Sequence, residues 1–142
     1  MKTAGLVGIA AVAAMCMAHP ALGQDKPGQM QVVLPADGKA SSFKGTIRGY
    51  DSVDYVFQAQ AGRKLRIDLK TQHRSAYFNL LQDGKDEALF VGPLSGNTFD
   101  AALPDTATYR VRVYLMRNAA RKNAKARYEL QLRRAPLRPD AT

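Results

Sequence analysis

Five cations, Arg117, Arg121, Lys122, Lys125 and Arg127, fall within positions 117–127 of the segment "RNAARKNAKARYELQL", and no acid stands among them. Guanidinium and ammonium groups packed this closely can form charge-assisted hydrogen bonds with carboxylates or phosphates, bidentate ones where Arg is the donor. The same composition also suits a solvated loop whose only task is to stay wet. The concentration extends beyond the loop, because Arg110, Arg112, Arg133, Arg134 and Arg138 bring residues 110–138 to ten cations against one acid, Glu129. Charge gathered in one stretch favours an anionic partner or an acidic cleft. A second cluster is "GTIRGYDSVDYVF", residues 45–57, where Gly49-Tyr50-Asp51-Ser52 breaks an alternating pattern and leaves Tyr50 on a turn. There Tyr50 either staples the end of the core or serves as an interaction anchor, Tyr and Arg being enriched among binding hot spots.

Signatures of catalysis and metal binding are missing. Of the two histidines, His19 lies in an apolar N-terminal leader with the single cysteine, Cys16, and only His73 remains. One His without a second His or Cys makes no clustered zinc site, and in the polar run Thr71-Gln72-His73-Arg74-Ser75 it reads as a loop residue. Gly-rich phosphate loops and nucleophile elbows do not occur. Asp83, Asp86 and Glu87 group in a turn around Lys85, whereas acid–base work on a glycosidic bond needs a carboxyl perturbed by burial. Neither an enzyme nor a bound cofactor or metal is expected. Nucleic acid is not the expected partner either: single-strand binders set aromatic platforms beside their cations, and most aromatics here fall on inward strand positions.

The elements that must position these clusters are strands. Tyr55 to Ala59, Leu65 to Leu69, Tyr109 to Leu115, and Tyr128 to Leu132 alternate apolar and polar residues with period two, each reading as a strand with one buried and one wet face. Shorter candidates are Met30 to Leu34, Ser42 to Ile47, Tyr77 to Leu81, Leu89 to Val91 and Thr98 to Ala101. Turn chemistry separates them at Asp37-Gly38, Ala61-Gly62, Asp83-Gly84 and Pro104-Asp105. About eight short strands spaced roughly ten residues apart, with no long amphipathic helix, predict an all-β fold, an antiparallel β-sandwich. Residues 116–126 lack strand alternation and carry good helix formers, so they are expected as a loop or one short helical turn before the last strand.

At the N-terminus, Lys2, an apolar run from Leu6 to Met17 and Ala21-Leu22-Gly23 before Gln24 form the pattern of a cleavable secretory signal over residues 1–23. Cys16 follows Met15 rather than a small residue, which argues against lipidation. Without Lys2 the formal charge of +9 falls by one, and the only cysteine leaves, so an exported domain of residues 24–142 must stand on its core with no disulfide. No later segment is apolar enough to span a bilayer.

The two clusters together resemble the periplasmic inhibitors of g-type (goose-type) lysozyme. The likeness runs over essentially the whole chain after the leader. A G-x-I-x-G-Y-D-x-x-x-Y-x-F segment is matched at Gly45, Ile47, Gly49, Tyr50, Asp51, Tyr55 and Phe57, and a turn and strand at Ala59 to Leu69. An L-P-x-x-x-x-Y segment is matched at Leu103, Pro104 and Tyr109, its Arg and Val falling at Arg112 and Val113; R-N-x-A-R-K-N is matched at Arg117 to Asn123, before a strand led by Tyr128. Between Thr71 and Asp100 the chain departs from the pattern. The resemblance implies a β-sandwich that binds a lysozyme and blocks its peptidoglycan-cleaving cleft, acting in the periplasm; a monomer or weak dimer is the expected state, which the resemblance does not itself supply. The resemblance further implies contacts from Tyr50, Arg117 and Arg121, with Asp51, Asn118 and Lys122 holding the loops in shape and Thr106 as a further candidate. Two readings of other classes compete. A carbohydrate- or peptidoglycan-associated module would share the fold, though the chain has no Trp. A binder of nucleic acid or another anionic surface would lose affinity steeply with salt and would not depend on Tyr50.

Overall fold

The structure, a computed structural model, describes residues 28–136; the secretory signal read at residues 1–23 lies outside them. The described chain forms strands β1 (Gln29–Gln31), β2 (Ser41–Arg48), β3 (Ser52–Ala59), β4 (Lys64–Thr71), β5 (Ala76–Gln82), β6 (Phe90–Val91), β7 (Thr98–Ala102), β8 (Ala107–Leu115) and β9 (Lys125–Arg134). Two one-turn helices interrupt them, α1 (Gly92–Ser95) and α2 (Arg117–Arg121). The strands make two sheets in the orders β1-β3-β8-β5-β6 and β2-β9-β4-β7. All pairs are antiparallel except β1 with β3, which run parallel. The expected sandwich is therefore present, with one short parallel strand added at an edge.

Period-two alternation is what makes the two layers. In β4 and β9, Leu65, Ile67, Leu69, Ala126, Tyr128, Leu130 and Leu132 are buried, and Ile67 faces Leu132 while Leu69 faces Leu130 across the ladder. Tyr55, Phe57, Phe78, Leu80, Tyr109, Val111 and Val113 answer them from the other sheet. Burying each of these large side chains stabilises the fold by about 1.5–3 kcal/mol before chain entropy is counted. Aromatic contacts join the sheets at both edges. Phe43 of β2 packs on Tyr55 of β3 at 5.1 Å, and Phe90 sits between Phe78 at 5.0 Å and Phe99 at 5.5 Å. The hydroxyls of Tyr55 and Tyr128, 2% and 5% exposed, hydrogen-bond to each other at 2.7 Å across the core. Gly45 makes that pair possible, since a Cβ there would lie 2.5 Å from the Tyr128 hydroxyl. Tyr109 ties the core to the β7–β8 connection, its hydroxyl donating to the Asp105 carbonyl.

Two local expectations need correction. The last strand begins at Lys125, not at Tyr128, because antiparallel pairing of Arg48 with Lys125 and Ile47 with Ala126 extends the ladder. Alternation was present there, but a buried Ala126 between Lys125 and Arg127 is too small and too weak a strand former to register as a core position. Second, Gly92–Ser95 is a helical turn that no periodicity announces; Pro93 at its start fixes the backbone torsion that opens it.

Candidate functional site

Three connections that cross from one sheet to the other meet at one end of the sandwich. These are β2 to β3 at residues 48–51, β4 to β5 at 72–75, and β8 to β9 through α2 and residues 122–124. In the first, the Asp51 N–H donates to the Arg48 carbonyl at 3.0 Å, closing a tight turn. Gly49 has φ +60° and Tyr50 is not among the positive-φ residues, the signature of a turn with Gly at its first central position and Tyr50 at the second. Tyr50 is thereby raised from the surface and is 71% exposed, so it does not staple the core.

The α2 connection is built as a support for that turn. Ala119 and Ala120 bury their methyl groups, which leaves Arg117, Asn118, Arg121 and Lys122 exposed. Helical bonding ends in two backbone hydrogen bonds, Ala124 N–H to the Ala119 carbonyl and Asn123 N–H to the Ala120 carbonyl, with Asn123 at φ +52°. This is a Schellman motif in which Asn takes the left-handed position, which it tolerates better than most residues other than Gly. The motif then docks on the Tyr50 turn. Gly49 N–H donates to the Ala124 carbonyl at 2.9 Å, and a Cβ on Gly49 would stand 2.8 Å from Asn123 Oδ1. Backbone bonds thus fix the Tyr50 turn against the end of α2. The third connection joins the same end, for the Met116 N–H, next to Arg117, donates to the Ser75 carbonyl at 2.8 Å. Within it, His73 Nδ1 accepts the Ser75 N–H at 3.1 Å, so this His shapes its turn.

Of the residues singled out in the sequence, Tyr50, Asp51, Arg117, Asn118, Arg121 and Lys122 are brought together at this end, and all are exposed. Asn118 Oδ1 accepts the Ala119 N–H at 2.9 Å and so braces the helical turn. Asp51 and Lys122 act through their backbone N–H groups, Lys122 donating to the Ala119 carbonyl. Thr106 is elsewhere. Its hydroxyl accepts the Ala61 N–H at 3.0 Å, and the pairing of Ser52 with Tyr114 and of Ala59 with Ala107 puts it at the opposite end of β3. Eight strand residues separate the two ends by roughly 25 Å. Three residues that sequence reasoning passed over share the Tyr50 end. Arg48 and Arg74 add exposed charge from the neighbouring connections, and Asn123 fixes the geometry. An Asn closing a run of helix formers was the available signal for Asn123.

The cations of residues 110–127 divide into two groups. Arg112 grips Asp54 in a bidentate pair at 2.8 and 2.9 Å, and Arg110 bridges Asp54 at 3.3 Å and Asp83 at 3.1 Å, on the outer face of the five-stranded sheet. Asp54 is only 8% exposed, so those two charges are absorbed by the fold. Its hydrogen bond is the main cause that pushes the Arg112 guanidinium above its ordinary value. By contrast, Arg117, Arg121, Lys122, Lys125 and Arg127 make no ion pair among the described residues. The end of the sandwich therefore presents uncompensated Arg side chains beside an exposed Tyr on a backbone-braced platform. Among the described residues it has no grouped metal ligands.

Comparison with known proteins agrees with this architecture. No family model matches the chain. The inhibitor of g-type lysozyme of Escherichia coli K12 is 28% identical over 96 residues, covering 66% of this chain and 71% of that protein. The crystal structure of PliG from Aeromonas hydrophila, a periplasmic lysozyme inhibitor of g-type lysozyme, superposes with a TM-score of 0.68 at 25% identity, covering 79% of this chain and 100% of that one. PliG of Salmonella Typhimurium gives a TM-score of 0.63 at 23% identity over 78% of this chain and 100% of that one, a likeness that carries the fold alone. In sequence and in fold, the chain is similar to the periplasmic inhibitors of g-type lysozyme.

Proposed function

We propose that this protein is a periplasmic inhibitor of g-type lysozyme that closes the enzyme's peptidoglycan-cleaving cleft with the Tyr50 end of the sandwich. The observation that carries the reading is the joining of Tyr50, Arg117 and Arg121 at one end, exposed, without an ion pair among the described residues and braced by the Gly49–Ala124 hydrogen bond. Cleavage of a glycosidic bond needs at least one carboxyl group in a concave groove. A protruding guanidinium meets such a carboxylate with charge-assisted, bidentate hydrogen bonds. Tyr50 adds a rigid amphipathic surface whose ordering costs little entropy, and its support is preorganised. The named relatives, inhibitors and not enzymes, support the same role, as does the secretory pattern of residues 1–23. Thr106, roughly 25 Å away, belongs to no contact made by this end.

The test is residual muralytic activity of purified g-type, c-type and i-type lysozymes titrated with residues 24–142. Near-stoichiometric loss of g-type activity alone is expected. Arg117→Ala or Tyr50→Ala should weaken it by about 2–4 kcal/mol, roughly 30- to 1000-fold, in a protein that stays folded because both side chains are exposed. Thr106→Ala should leave it unchanged. No inhibition of any class at micromolar protein would refute the proposal.

A further inference from the structure

The outer face of the four-stranded sheet carries a second concentration of charge that inhibition at the loop end does not use. A shallow depression of about 1110 Å³ lies there, bordered by Lys44 and Thr46 of β2, Lys70 of β4, and Lys125, Arg127 and Glu129 of β9. The register explains the grouping. Lys44, Glu129 and Lys70 form one cross-strand row, Thr46 faces Arg127 in the next, and Arg48 faces Lys125 in the third. Neighbouring strands lie about 4.8 Å apart and same-face residues about 6.6 Å apart along a strand, so the cations cover a patch roughly 10 by 13 Å. Lys44, Lys70, Lys125 and Arg127 are exposed, and none makes an ion pair among the described residues. Glu129 is held by Gln131 Nε2 at 3.2 Å, not by a cation.

We propose that this face binds a carboxylate-bearing glycan strand, holding the exported protein on an acidic polysaccharide while its Tyr50 end stays free. Three features select that chemistry. Four unpaired cations grouped on one face favour an anionic ligand. Thr46, Gln72 and the Glu129 carboxylate stand among them, and an acceptor carboxylate suits sugar hydroxyls between widely spaced anions, whereas it would repel a dense run of phosphates. The aromatic residue of the border, Tyr128, is turned into the core by its bond to Tyr55, so bases find no stacking platform. Binding through exposed charges is weak per contact and salt-sensitive. The inference does not rest on the inhibitor reading: the patch runs along β2, β9 and β4 and reaches the Tyr50 end only through Arg48, Lys125 and Gln72, while Tyr50 and Arg117 lie outside its border.

The test uses residues 24–142 and polygalacturonate as the probe, with its methyl ester as the uncharged counterpart and single-stranded DNA of matched charge as the competitor class. Calorimetric titration at low salt should show binding to polygalacturonate, none to the methyl ester and weaker binding to DNA. The triple variant Lys44→Gln/Lys70→Gln/Arg127→Gln should bind about tenfold more weakly. Glu129→Gln, which removes the acceptor carboxylate and the one opposing charge, should narrow the preference for polygalacturonate over DNA, a second readout that does not depend on the triple variant folding; an unchanged preference would overturn the role given to Glu129. Tyr50→Ala/Arg117→Ala should lose lysozyme inhibition and keep polygalacturonate binding. Absent binding, equal binding to the methyl ester, tighter binding to DNA, or loss of glycan binding in Tyr50→Ala/Arg117→Ala would each overturn the assignment.

Discussion

Replacing Gly49 by Ala tests how the Tyr50 turn is held. Gly49 has φ +60°, where an L side chain costs about 1–2 kcal/mol, and its new Cβ would stand 2.8 Å from Asn123 Oδ1. The Asn123 side chain must turn away to make room, because its backbone, with φ of +52° and a hydrogen bond to the Ala120 carbonyl, is held in the Schellman motif. Together these effects should cost about 2–3 kcal/mol, lowering Tm by roughly 10 °C for a domain of this size. Gly62→Ala is the comparator. It shares the left-handed backbone, with φ +79°, but a Cβ there meets nothing within 4 Å, and it lies near Thr106 at the far end. It should cost only the backbone share, about 1 kcal/mol, and leave inhibition intact. Thermal unfolding followed by circular dichroism, together with titration of g-type lysozyme activity, reads both quantities. Gly49→Ala should lose inhibition beyond its effect on folding, because an L residue strained at φ +60° loosens the turn that raises Tyr50. Equal Tm losses in the two variants would refute the Asn123 contact as a constraint. Full inhibition by a destabilised Gly49→Ala protein would refute the placing of Tyr50 in the interface.

Other expectations follow from the core and the sheet faces. Tyr128→Phe leaves the Tyr55 hydroxyl buried without its 2.7 Å partner and should cost about 1–3 kcal/mol, while Tyr55→Phe/Tyr128→Phe should cost less than the sum of the single changes; chemical denaturation checks the cycle. Burial, then the Tyr55 hydroxyl, push Tyr128 ionisation far above its ordinary 10.0. The unfolded chain therefore releases a proton that the folded one keeps, so stability is full below pH 10 and falls as pH rises beyond it. A pH series of unfolding curves should show that decline, shallower in Tyr128→Phe. Asp54→Asn strips Arg112 of its bidentate partner and Arg110 of one of two, and should cost about 2–4 kcal/mol with inhibition unchanged in the folded fraction. Asn123→Ala should destabilise by about 1 kcal/mol, whereas Asn123→Gly should hold the backbone, a contrast readable in Tm.

The sequence alone determined the layers and most of the strands, because period-two burial writes itself into residue order: Leu65, Ile67 and Leu69 could bury together only on one face of a strand. It also determined that Tyr50 falls on a turn and that residues 117–121 form no strand, since Gly and a run of Ala, Arg and Asn act locally. What it could not express is proximity between segments far apart in the chain. That Arg110 and Arg112 are neutralised by Asp54, while Arg117 and Arg121 are not, depends on which strands pair, and all four read alike as exposed cations. The same holds for Lys44, Lys70 and Arg127, scattered over residues 44–127 and gathered only by the order β2-β9-β4. Tertiary structure alone decided that Tyr50 stands clear of the core and shares an end with α2 while Thr106 does not, because chain direction in β3 and β8 sends their two ends to opposite poles of the sandwich.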